Sequence, residues 1–107
     1  MQQQFADKVV LVTGAGSGMG RATAVLLARR GAAVTVVGRR ESKLADVVAE
    51  ITAAGGRALA VPGDVSRPED YDRAVARTLE QFGALHYAVN NAEIGRASCR
   101  ERVLMPV

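Results

Sequence analysis

Apolar residues along the 107-residue chain fall into short runs that alternate with amphipathic segments, and glycines mark most of the joints. Residues 8–14, KVVLVTG, are a β-branched run ending in glycine and predict a buried strand. Residues 18–30 set Ala24, Leu27 and Ala28 on one helical face, with Gly31 as a C-terminal stop. Residues 33–38, AVTVVG, predict a second buried strand. In residues 41–54, Leu44, Val47, Val48 and Ile51 recur at helical spacing, and Gly55 and Gly56 end the run. Residues 57–65, RALAVPGDV, predict a third strand running into a loop. Ser66 and Glu69 then form an S-x-x-E capping-box pattern, with Pro68 in the first turn, where proline is tolerated. Tyr71, Ala74, Val75, Thr78, Leu79 and Phe82 make the inward stripe of the next helix, and Gly83 stops it. Residues 84–90, ALHYAVN, predict a fourth strand.

The pattern is β-α-β-α-β-α-β, with strands apolar on both faces and helices apolar on one. It predicts an α/β fold, a parallel sheet covered by helices through right-handed crossovers. Neither an internal repeat nor a linker interrupts it.

Composition narrows the function classes. The length suits one small domain, and 49% apolar with 23% charged residues is the balance of a soluble globular protein. No apolar run approaches a membrane span, and the opening MQQQFADK lacks the regions of a secretory signal, so a cytoplasmic protein without a membrane partner is expected. The net charge of +3 comes from arginines scattered singly or in pairs, which argues against a nucleic-acid partner. The single cysteine, Cys99, lies outside the regular pattern, so residues 8–92 can build no disulfide, zinc site or thiol nucleophile.

The first strand leads into TGAGSGMG, residues 13–20, at the start of a helix. Such a turn needs residues tolerant of positive φ, and backbone without Cβ lets a diphosphate come close. Free N–H groups and the helix dipole then attract its charge. A P-loop is excluded because Arg21 and Ala22 follow Gly20, where Lys and Ser or Thr are needed. The strict G-x-G-x-x-G fingerprint also fails, since Met19 or Arg21 takes the last glycine position; T-G-x-x-x-G-x-G fits.

That spacing resembles the short-chain dehydrogenase/reductase family of NAD(P)-dependent oxidoreductases. Asp64-Val65 after the third strand resembles the family's adenine-contacting Asp, and Asn90-Asn91-Ala92 after the fourth resembles its N-N-A-G. The resemblance covers residues 8–92 and implies a Rossmann-like sheet in strand order 3-2-1-4, truncated after the fourth strand. It implies cofactor contacts from Gly14, Ser17, Gly18, Met19 and Gly20 in the turn, from Asp64 and Val65, and from Asn91 and Ala92. A parent enzyme would be a homodimer or homotetramer acting on a small alcohol or carbonyl substrate.

The end of the second strand bears on the cofactor. An acidic residue there would bond the ribose hydroxyls of NAD, but Gly38 stands there, followed by Arg39 and Arg40. Glycine leaves room for a 2′-phosphate and a guanidinium can clasp it, so NADP(H) is expected over NAD(H), with Arg39 the better placed and Arg40 turned to solvent. His86 reads as a polar contact at a strand start, Tyr71 as core, Tyr87 as packing under a helix, and Asp70 and Asp72 as a solvated first turn.

The catalytic set that the resemblance implies is missing. A phenol of pKa near ~10 needs a neighbouring ammonium to exchange protons near neutrality, and Y-x-x-x-K is absent: Val75 stands four after Tyr71, and Asn91 four after Tyr87. The chain therefore has the cofactor half of an enzyme, and strand four is expected to be an exposed edge. A stand-alone NADP-binding module is the alternative. A methyltransferase-like enzyme is a third reading, disfavoured by Thr13 where an acid would precede Gly14.

Residues 93–107 lose the pattern altogether. Glu93 replaces the glycine of N-N-A-G, and the string ATC GGA AGA GCG TCG TGT AGG GAA AGA GTG T encodes residues 94–103 and opens a codon that permits Leu104. With AG in front, the string resembles a widely used short-read sequencing adapter, and a glycine codon cut after its first G would become GAG. Residues 1–92 thus read as part of an NAD(P)-binding domain, and 93–103 at least as translated adapter.

Overall fold

The computed structural model describes residues 5–16, 18–90 and 103–104. In chain order they form β1 (Val9–Thr13), α1 (Gly18–Arg29), β2 (Ala33–Gly38), α2 (Glu41–Ala53), β3 (Arg57–Pro62), α3 (Pro68–Phe82), β4 (Tyr87–Asn90) and β5 (Val103–Leu104). Strands β3, β2, β1 and β4 lie side by side, all parallel as the pattern predicts, and in the order that the resemblance implies. The two-residue β5 adds an antiparallel neighbour, pairing Ala88 with Leu104 and Val89 with Val103. Strand β4 is therefore not a free edge at those two residues, contrary to the expectation from sequence.

Period-2 alternation splits the sheet into two faces. Val10, Val12, Val34 and Val36 face α1 and α2, joining Ala24, Ala28, Leu44, Val47 and Ile51 in one core. Leu11, Val37 and Val61 point the other way, towards Ala74 of α3. Because both faces are covered, all five residues of β1 are buried, and each buried valine or leucine contributes on the order of 1.5–3 kcal/mol. Helix α1 meets the sheet through small residues, Gly20, Ala24 and Ala28, which brings its axis close to the strands.

Several boundaries differ from the sequence reading, each for a physical reason. β3 ends at Pro62, which has no N–H to carry the ladder on. Among the described strands it pairs only with β2, and it is half-buried and not buried throughout. β4 starts at Tyr87 because the His86 ring, not a main-chain carbonyl, takes the Val9 N–H at Nδ1 (2.9 Å), while His86 N donates to Val9 O at 2.9 Å. His86 is thus the polar strand-start contact that was expected. In α3, Ala74 and Thr78 are buried but Leu79 is 45% exposed, so the apolar stripe is narrower than the sequence suggests.

The capping box does not form. α3 starts after Arg67, whose side chain makes no cap bond, with Pro68 in the first turn. Ser66 is one residue too early and turns back instead: its N–H and hydroxyl both donate to Asp64 Oδ1, at 3.0 and 2.7 Å.

Candidate functional site

Three connections leave the sheet at the C-terminal ends of adjacent strands: the turn after β1, the short link after β2 and the loop after β3. The registers put Thr13 beside Val37 and Gly38 beside Pro62, so the three begin as neighbours. Two backbone bonds tie them together. Ala15 N donates to Val37 O at 3.2 Å, and Gly63 N to Gly38 O at 2.8 Å. Open α/β sheets bind ligands at this end.

The turn after β1 is shaped by missing side chains. Gly14 and Gly18 have φ of 64° and 50°, in the left-handed region. A Cβ on Gly20 would collide with the Gly14 carbonyl, so only glycine lets α1 pack this closely. Among the described residues nothing lies within 4 Å of a Cβ built on Gly18, which leaves open space there above the α1 N-terminus. Met19, beside it, is 67% exposed.

The link after β2 carries charge. A side chain at Gly38 would press on Leu44 Cδ2 at 3.3 Å and approach Gly16 N to 3.8 Å. Arg39 and Arg40 are both exposed. Sequence reasoning missed Lys43, whose Cβ would lie 3.1 Å from a Cβ on Gly16. Its stem flanks the glycine turn, and only the packing of α2 against α1 and β2 brings them together; no spacing in the sequence signals it.

The loop after β3 is shaped by side chains that are present. Asp64 Oδ1 holds the Ser66 bonds, and these, ahead of attraction from Arg39 and Arg67, keep its carboxyl below the usual value although desolvation opposes them. Asp64 O accepts the Arg67 N–H at 2.9 Å. Asp70, read from sequence as solvated, is instead turned inward: its side chain is 16% exposed and its Oδ2 accepts the Asp64 N–H at 2.8 Å. That bond is the main cause of its lowered pKa, with desolvation opposing and Arg73 assisting. Tyr71 shifts the other way. Burial raises its phenol, the wrong direction for an acid–base tyrosine and the right one for a packing residue.

The family model described as short chain dehydrogenase matches residues 8–104. The chain belongs to the short-chain dehydrogenase family. Over 94 residues it is 49% identical to the A-factor type gamma-butyrolactone 1'-reductase (1S-forming) of Streptomyces virginiae, and over 94 residues 47% identical to the cyclohexanol dehydrogenase of an Acinetobacter species. Each alignment covers 88% of this chain, but only 37% and 38% of those relatives. Among solved structures, the glucose dehydrogenase of Caenorhabditis elegans in apo form superposes with a TM-score of 0.80 at 42% identity, over 86% of this chain and 40% of that one. A hydroxysteroid dehydrogenase from Escherichia coli gives 0.83 at 30% identity, over 88% and 40%. Members of the short-chain dehydrogenase family bind nicotinamide dinucleotides.

Within this short-chain dehydrogenase chain, Gly14, Gly18, Met19, Gly20, Arg39, Arg40, Asp64 and Val65 all follow the C-terminal ends of β1, β2 and β3, at one end of the sheet. Ser17, Asn91 and Ala92, also expected at the site, lie outside the described residues, as does most of the segment from Glu93 onward. No described helix is long and apolar enough to cross a membrane, and the described residues hold no cluster of three metal-ligating side chains.

Proposed function

We propose that the chain is the NADP(H)-binding portion of a short-chain reductase, whose whole form transfers a hydride between NADP(H) and an alcohol or carbonyl compound. The observation that carries the cofactor preference is the side-chain-free Gly38 ending β2, followed at once by the exposed Arg39, whose charge reaches Asp64 on the next loop. The open space at Gly18 and the glycine-only approach of α1 suit a diphosphate. Gly14, Ser17, Gly18, Met19 and Gly20 would hold it, Asp64 and Val65 the adenine, Arg39 with Arg40 the 2′-phosphate, and Asn91 and Ala92 the nicotinamide end. The names of the reductase and dehydrogenase relatives support the reaction class. The 107 residues contain no Y-x-x-x-K set, so this chain alone binds cofactor without turning substrate over; a cytoplasmic homodimer or homotetramer is the proposed state of the whole enzyme.

The test is a titration of the chain with NADPH and NADH. Tighter binding of NADPH by about tenfold or more is expected, and Arg39→Ala should remove most of that margin; equal affinities, or equal losses for both cofactors, overturn the preference. We also propose that residues 93–103 are translated adapter. Long-read sequencing past the codon of Ala92 should then give glycine at 93 and a downstream Y-x-x-x-K, whereas a genomic sequence encoding Ile94 to Val107 overturns it.

A further inference from the structure

Asp70 lies outside every motif in the chain, yet it connects the elements around the proposed site. Its Oδ2 accepts the Asp64 N–H at 2.8 Å, and its Oδ1 accepts Arg73 Nη1–H at 3.2 Å. The same guanidinium donates from Nη2 to the Pro62 carbonyl at 2.9 Å, at the end of β3. Gly63 is held between them: a Cβ there would lie 3.2 Å from Arg73 Nη2 and 3.3 Å from Asp70 Cβ, while its N–H bonds to Gly38 O at 2.8 Å. A continuous set of bonds thus runs from α3 through the loop after β3 to the residue before Arg39.

We infer that Asp70 is a positioning residue, which through the Asp64 amide and its Arg73 partner sets the loop that takes the adenine against the strand end that takes the 2′-phosphate. The inference rests on the cofactor reading given above. Its sign separates it from simple electrostatics. Deleting a negative charge near a phosphate site should strengthen anion binding by Coulomb attraction, whereas losing the positioning bonds should weaken it.

The experiment titrates the 107-residue chain with 2′,5′-ADP, alongside Asp70→Ala, Asp70→Asn and the control Asp72→Ala, which removes an exposed acid two residues further along α3. Asp70→Ala should bind about tenfold more weakly, Asp70→Asn, which keeps an acceptor for the Asp64 N–H, within about threefold of the unaltered chain, and Asp72→Ala equally well or better. Unchanged or tighter binding by Asp70→Ala overturns the inference alone. So does a tenfold loss in Asp70→Asn, which also decides the matter if Asp70→Ala does not fold, or an equal loss in Asp72→Ala. Failure of the unaltered chain to bind 2′,5′-ADP overturns the cofactor reading and this inference with it.

Discussion

The turn after β1 and the loop after β3 stand side by side and are built on opposite principles. The first is made of absences: positive φ at Gly14 and Gly18, and no Cβ between Gly20 and the Gly14 carbonyl. The second is made of bonds, with Asp64 held at Oδ1 by Ser66 and at its amide by Asp70. Sterics tolerate no substitute, whereas a hydrogen-bonded loop can be retuned by any group that accepts at the same place. The difference is one of brittleness.

The sharpest way to break the comparison is at Gly20. Gly20→Ala should cost about 3 kcal/mol, as overpacking against backbone does, and urea unfolding would measure it; a loss under 1 kcal/mol would mean that α1 can move off the sheet. The second contrast is in acid. Both Asp64 and Asp70 have folded pKa values below the ordinary 3.8, so the stability they contribute is present above that value and is lost as pH falls through the lowered ones. Protection of the amides at residues 63–67 against exchange, relative to the intrinsic rate at each pH, should therefore be lost in acid before that at residues 14–18, and simultaneous loss would erase the distinction. A smaller effect is expected at Lys43, beside Gly16 in the turn proposed to hold the diphosphate: Lys43→Ala should weaken NADPH and NADH binding alike, about threefold, read by parallel titrations. Smallest of all, Leu79→Ser should shift stability by less than about 0.5 kcal/mol, because the exposed flank of α3 serves neither loop; a larger loss by thermal unfolding would point to packing at that flank.

Legibility in the sequence follows the same division. The parallel sheet, most helix faces and the glycine turn could be read because each depends on local periodicity or on a residue type with few uses, whereas the strand order came only with the family resemblance. The stop at Gly83, with φ of 82°, is of that kind. The loop after β3 could not be read correctly: Ser66 and Glu69 carry the pattern of a cap, but Asp64 competes for Ser66 at closer range and wins. Asp70 looked like any acid in a first helical turn, since its bonds to Asp64 and Arg73 appear only once the chain has turned back on itself. Lys43 was missed for the same reason, its neighbour Gly16 lying in the turn after β1, with all of α1 and β2 between them in the chain.

One buried pair has a mechanical consequence. Thr78 Oγ1 stands 2.7 Å from both the Ala74 carbonyl and Thr35 Oγ1; having a single proton, it donates to the carbonyl and receives one from Thr35. A greasy helix on a greasy sheet could roll about its long axis at little cost, because hydrophobic contact has no direction. The hydroxyl pair works as an indexing pin: it fixes the azimuth of α3 at its middle, and a rigid helix transmits that angle two turns back towards its start. There it determines that Asp70, and not its neighbour Asp72, comes round to face the Asp64 amide.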